Sequence, residues 1–174
     1  MSCMPVGLGV GWSLVIGMLV YPSVAWAEWT IKRLYTPQGV LERCVVESPT
    51  LPMSDGYQDT QVTVIVSTQT ILVKAKAPLD NAFNDIGLQI GKHGVVKAER
   101  VVEERSAVFS DQFRDILIQL TQDVPPGKKG RHPPPPTLKL YLRFWPTWPT
   151  RGLQTVDVSL EGFRKAYTEL DTCK

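Results

Sequence analysis

Few side chains in this chain are of the kinds that do covalent or metal chemistry, and they stand far apart. There are two histidines, His93 and His132, and three cysteines, Cys3, Cys44 and Cys173. Each histidine lies among glycines or prolines: His93 in Gly91-Lys92-His93-Gly94, and His132 between Gly130-Arg131 and a run of four prolines. A zinc site needs three or four nitrogen, sulfur or carboxylate ligands brought together, and no local cluster of that spacing is present. A serine nucleophile has no Gly-x-Ser-x-Gly elbow, although triads are defined by geometry and can be assembled by folding alone. The glycines around Lys92 are too few for a phosphate-cradling loop. The residues therefore predict no enzyme, no metal and no cofactor.

Two segments carry recognition chemistry instead. Lys128, Lys129 and Arg131 concentrate positive charge beside the prolines of 133–136, within a Pro/basic loop at 124–136. Such a loop can meet an anionic envelope component or an acidic protein surface, with a strength that falls as salt rises. Its plainer reading is a solvated, charged linker that does not support the fold. Trp145 and Trp148, set in Trp145-Pro146-Thr147-Trp148-Pro149, form an aromatic pair on a proline-stiffened turn. Rigid aromatics make contact area at low entropic cost, and they can equally fold back as a cap on the core. A formal net charge of +2 gives no reason to expect nucleic acid as a partner.

The elements that hold these segments read as mostly strands. Residues 1–27 contain no charged side chain, run apolar from Val6 to Val24, and end in Ala25-Trp26-Ala27. This is a secretory signal pattern with small residues at −3 and −1, although no Lys or Arg precedes the apolar run. The competing reading is an uncleaved anchor, since Val6 to Ala27 is just long enough to span a bilayer. Cleavage leaves residues 28–174 as a single domain with no membrane span, placed in the periplasm or secreted. There the cysteine count becomes even, which favours a Cys44–Cys173 disulfide over two buried free thiols.

Strands are expected over Trp29–Tyr35 and Val40–Glu47, then in a tight hairpin of Gln61–Ser67 and Thr70–Lys76. Further strands are expected over Ile86–Ile90, Val95–Val102, Leu138–Trp145 and Leu153–Val158. Ser48–Asp59 and Pro78–Asn84 read as loops. Phe109, Phe113, Ile116, Leu117 and Leu120 repeat at helical spacing behind a Ser110-Asp111 cap. Leu160, Phe163, Ala166, Tyr167 and Leu170 do the same near the end, with Cys173 on the same side. The expected fold class is mainly β or α+β: an antiparallel sheet or sandwich with two packed helices, at about 109–122 and 159–172.

Four segments, in order, carry a resemblance to a known family. They are Glu28-Trp29-Thr30-Ile31 with Cys44-Val45-Val46-Glu47; Ile71–Leu79 followed by Ile86–Ile90; Phe113–Leu120; and Val158-Ser159-Leu160-Glu161-Gly162-Phe163-Arg164-Lys165-Ala166. The chain resembles the invasion-associated locus B family of bacterial periplasmic proteins. It departs at Arg33 and at 105–110, where members carry cysteines, so the family's disulfide pattern does not transfer. The resemblance implies a binding or accessory role in the bacterial envelope, with an envelope component or a protein as partner and no catalytic residue. The alternative is a small periplasmic hydrolase, which would need a deep pocket with an acid or base beside His93 or His132.

Overall fold

The computed structural model describes residues 28–122, 136–146 and 152–173. The segment 1–27, expected to be a signal peptide, and Lys128, Lys129, Arg131, His132 and Trp148 lie outside the described residues. The fold is mainly β, with two antiparallel sheets and two helices. In the larger sheet the strands run in the order β1 (Thr30–Tyr35), β2 (Leu41–Glu47), β4 (Asp59–Val66), β5 (Ile71–Ala75), β9 (Ser106–Phe109) and β8 (Arg100–Val102). The smaller sheet is ordered β11 (Gln154–Ser159), β10 (Thr137–Leu142), β6 (Gly87–Ile90) and β7 (Val96–Lys97).

Register explains the core. Val46 is opposite Val66, Val66 is opposite Ile71, Val64 is opposite Val73, and Val73 is opposite Ala107. Directly paired residues point to the same side of a sheet, so these side chains, β-branched except for Ala107, form one continuous apolar face. In the smaller sheet Leu138 faces Ile90 and Val158, while Leu140 faces Leu88 and Val156. Both sets belong to one core, to which helix α1 (Asp111–Gln122) adds Phe113 and Leu117. Helix α2 (Phe163–Leu170) adds Phe163, Ala166 and Leu170. Trp29 meets Phe163 edge-on at 4.8 Å, and its indole N–H donates to the Ser159 carbonyl at 2.8 Å.

The expected β4–β5 hairpin is present, closed by the Ser67 N–H to the Thr70 carbonyl at 2.9 Å. Five expectations change. The segment 48–59, read as loop, contains β3 (Leu51–Ser54), which pairs with the same strand, β4, that the end of β2 pairs with. β3 thus continues β2 past an interruption at Ser48, whose hydroxyl accepts the Val64 N–H at 2.9 Å. Pro52 is tolerated because this is an edge, where a missing N–H costs no ladder bond.

The segment 95–102, read as one strand, is two: β7 in the smaller sheet and β8 in the larger. Ala98 donates to Ile86 and Glu99 donates to Val108, both at 2.9 Å, so the chain changes sheets between consecutive residues. Phe109, read as part of a helix, ends β9, and the helix begins at Asp111. Ile116, expected in the core stripe, is 37% exposed. The second helix spans 163–170 rather than 159–172, because Ser159 still pairs with Thr137 in the smaller sheet.

Cys44 and Cys173 are joined, with Cα atoms 6.2 Å apart. The bond ties β2 to the residues just after α2. No helix among the described residues is long and apolar enough to cross a membrane.

Candidate binding cleft at the Trp145 end

Strand β10 stops at Leu142, and the chain continues Arg143-Phe144-Trp145-Pro146. Phe144 makes a single bridge to Leu79 and is buried. Its neighbours on either side are less buried, as alternation along an extended chain demands. Pro146 has no N–H to extend the pairing. Three hydrogen bonds lock this segment to its surroundings. Asp80 N–H donates to the Arg143 carbonyl at 2.8 Å, Trp145 N–H to Pro78 at 2.9 Å, and Leu79 N–H to Glu104 at 2.6 Å. Segments 78–80, 104 and 143–145 are thereby held as one framework.

The turn that delivers Glu104 joins β8 to β9. Its first two residues, Glu103 and Glu104, have φ of 51° and 56°. Both sit in the left-handed region, which a glutamate enters at a cost of about 1–2 kcal/mol and which the three-residue turn between the paired Val102 and Ser106 imposes here. The β8–β9 pairing, Val102 opposite Ser106, and the Leu79 hydrogen bond hold the turn in this shape.

Two aromatic side chains stand out of the framework. Trp145 is 62% exposed and Phe83 47% exposed. Arg143 lies between the framework and Phe83, with its guanidinium carbon 4.4 Å from the Phe83 ring centroid. Its Nε donates to both oxygens of Asp85, at 3.1 and 2.9 Å, and a terminal nitrogen donates to Asp85 as well. The Asp85 hydrogen bonds hold the Arg143 pKa above its ordinary value, while burial works against them and the charges of Asp85 and Asp80 add to the rise. Arg143 is therefore a fixed cation clamped to Asp85, and it supports the Phe83 ring by a cation–π contact.

Trp145 lines a cleft of 260 Å³ with Pro78, Leu79, Asp80, Asn81 and Glu104. A smaller cleft of 120 Å³, lined by Phe83, Asn84, Ile86, Glu99 and Arg100, adjoins it, and Asn81 borders both. This pair of clefts, sharing Asn81, is a trough with one exposed aromatic side chain, Trp145 or Phe83, in the wall of each part. A larger groove of 410 Å³ lies between β1 and the end of α2, beside Cys173. Its lining contains one cation, Arg33, and one anion, Glu169, and no aromatic side chain, so it offers neither a charge excess nor a stacking surface.

Among the described residues singled out from the sequence, Trp145 alone is placed in this site. His93 sits in an exposed turn after β6, its N–H donating to the Ile90 carbonyl at 3.0 Å, and does not line the trough. Among the described residues no three His, Cys, Asp or Glu side chains gather as metal ligands would. Phe83, Asp80, Arg143 and Glu104 were not expected from sequence. Only Phe83 left a trace there: an aromatic residue in a loop otherwise rich in Asp and Asn, with no periodic partner.

Compared with known proteins, the chain matches no family model, no curated protein and no solved structure. The class that can be stated is a mainly β protein of two antiparallel sheets sharing a core with two helices.

Proposed function

We propose that the protein is an exported binding or accessory protein of the bacterial envelope, and that the trough between Phe83 and Trp145 is its contact surface. The observation that carries this reading is the pair of large aromatic side chains held outside the core on a hydrogen-bonded framework. An apolar ring left in water serves no packing purpose, and a rigid one loses little entropy when a partner covers it. Contact surfaces are enriched in such anchors. The envelope location is supported by the 1–27 segment and by the Cys44–Cys173 disulfide, which an oxidising compartment preserves. The resemblance to invasion-associated locus B proteins supports the same role, as a non-enzymatic protein acting on an envelope component or protein partner. The basic residues Lys128, Lys129 and Arg131 belong to this reading as a second, salt-sensitive contact.

Affinity capture from envelope extracts, followed by mass spectrometry, tests it. The wild-type chain should retain a defined partner, and the Phe83→Ala/Trp145→Ala double variant should lose it while keeping its melting temperature. Replacement of Lys128, Lys129 and Arg131 by Ser should weaken capture chiefly at low salt. Equal capture by the aromatic variant and the wild type contradicts the assignment of the surface.

A further inference from the structure

The larger sheet ends at β1, and that end is open. Among the described residues, the main chain of Thr30–Tyr35 bonds only to β2. A strand paired on one side alone leaves every second N–H and C=O pointing away from its neighbour. β1 contains no proline, and its register with β2 is regular from Thr30 to Leu34, so the open row is continuous. The other sheet ends differ: β7 and β8 are two and three residues long, and β11 lies against β3.

A groove runs beside this row. Arg33 is opposite Cys44 and Ile31 is opposite Val46, so all four point to one side of the sheet. The Cys44–Cys173 bond places the end of α2 over that side. The 410 Å³ groove beside Cys173 continues into a cleft of 200 Å³ bordered by Glu28, Lys165 and Ala166, and the two share Ile31 and Glu169. No residue of β2 lines either one, so both lie at the open margin of β1, with α2 as the far wall.

We propose that β1 receives an extended, acidic segment of a partner polypeptide as an added antiparallel strand, whose alternate side chains enter the β1–α2 groove. This surface is separate from the Phe83–Trp145 trough, which borders β8 at the far end of the same sheet. An extended main chain repeats donors and acceptors at the spacing of the open row, which selects a polypeptide. Lys32 and Arg33 are both exposed, and adjacent residues point to opposite faces, so the added strand meets a cation on each face. On the α2 wall Lys165 and Glu169 offset one another, so β1 sets the sign. A second copy of this chain is selected against. Two-fold pairing of β1 with itself places Lys32 opposite Arg33, and a slip of one residue either way places Lys32 or Arg33 opposite its own copy.

The test follows the β1 amides in the proton–nitrogen spectrum of the uniformly labelled protein. The probe is the peptide acetyl-Thr-Val-Glu-Glu-Val-Thr-amide, which in antiparallel register sets its glutamates opposite Arg33 and Lys32 and its second valine opposite Ile31. It should give saturable shifts centred on β1, with a dissociation constant in the ~mM range, and should slow solvent exchange of alternate β1 N–H groups. The same peptide with lysines in place of the glutamates should bind about ten-fold more weakly. The Lys32→Glu/Arg33→Glu variant changes two exposed side chains and should keep its melting temperature while reversing the order of the two peptides. N-methylation of both valines removes one donor from each alternate set and should abolish binding. Equal binding of the methylated peptide, or no saturable shift up to ~20 mM, overturns strand addition. An unchanged preference in the charge-reversed variant overturns the acidic assignment. Protection of β1 amides that rises with protein concentration in the absence of peptide overturns the partner assignment in favour of a second copy.

Discussion

Arg143 shows how one side chain organises a surface. It projects from the end of β10, takes Asp85 in a forked pair, and stacks under Phe83, so one guanidinium fixes two residues of the 83–85 segment. Asp85→Asn keeps the shape but removes the charge and one acceptor, and should lower stability by about 1–3 kcal/mol in a denaturant titration. Phe83 should gain mobility in the same variant, seen as sharper ring resonances. Trp145 is the opposite case. Its ring buries little, so Trp145→Ala should shift the melting temperature by no more than a few degrees. A large loss of stability would show that the ring packs structurally. None of this network was readable in the sequence. Arg143 looked like one polar position in the alternation of a strand, and Asp85 lies 58 residues away from it. A pairing over that separation leaves no local pattern.

At the scale of elements, legibility followed periodicity. β4, β5, β10 and α2 each present one apolar face, and their alternation or helical spacing was enough to find them. β9 was missed because all four of its residues are buried, so it lacks a solvent face to alternate against. Phe109 also stands four residues before Phe113, and the sequence gives no means of telling a helical neighbour from a strand residue that packs on the helix, here at 6.4 Å between centroids. The split of 95–102 was invisible for a related reason. Alternation holds through Ala98-Glu99 while the hydrogen-bond partner changes from Ile86 to Val108, and slips only at the next step, where Glu99 and Arg100 are both exposed. Gly87 marks the close approach that this crossing demands. A Cβ there would lie 2.6 Å from a Val95 methyl carbon and 3.0 Å from the Val96 carbonyl oxygen. Gly87→Ala must push β7 outward, and should cost about 1–3 kcal/mol, read from the thermal midpoint. An unchanged midpoint would mean that β7 pairs too weakly with β6 to matter.

Across the whole molecule, the Cys44–Cys173 bond closes a loop with a sequence separation of 129. It was legible from the even cysteine count that the expected removal of a signal would leave, and from the side of α2 on which Cys173 falls. Chain entropy for so large a ring gives about 5 kcal/mol, so the Cys44→Ser/Cys173→Ser double variant should fall well below the wild type in denaturant midpoint. Addition of reductant should bring the wild type to the same midpoint, and a midpoint unmoved by either change would show that the bond contributes little. Export predicts that N-terminal sequencing of protein from its native cells begins at Glu28; full-length chain recovered from washed membranes would make it an anchored protein. The central claim, however, is that the Phe83–Trp145 trough is where a partner binds. The most direct measurement is photo-crosslinking in living cells with a benzophenone side chain at 83, at 145, or at the exposed residue Thr68 in the β4–β5 turn. The account predicts the same partner adduct from 83 and 145 and none from 68. Adducts from 68 alone, or no adduct from either aromatic position, would contradict it.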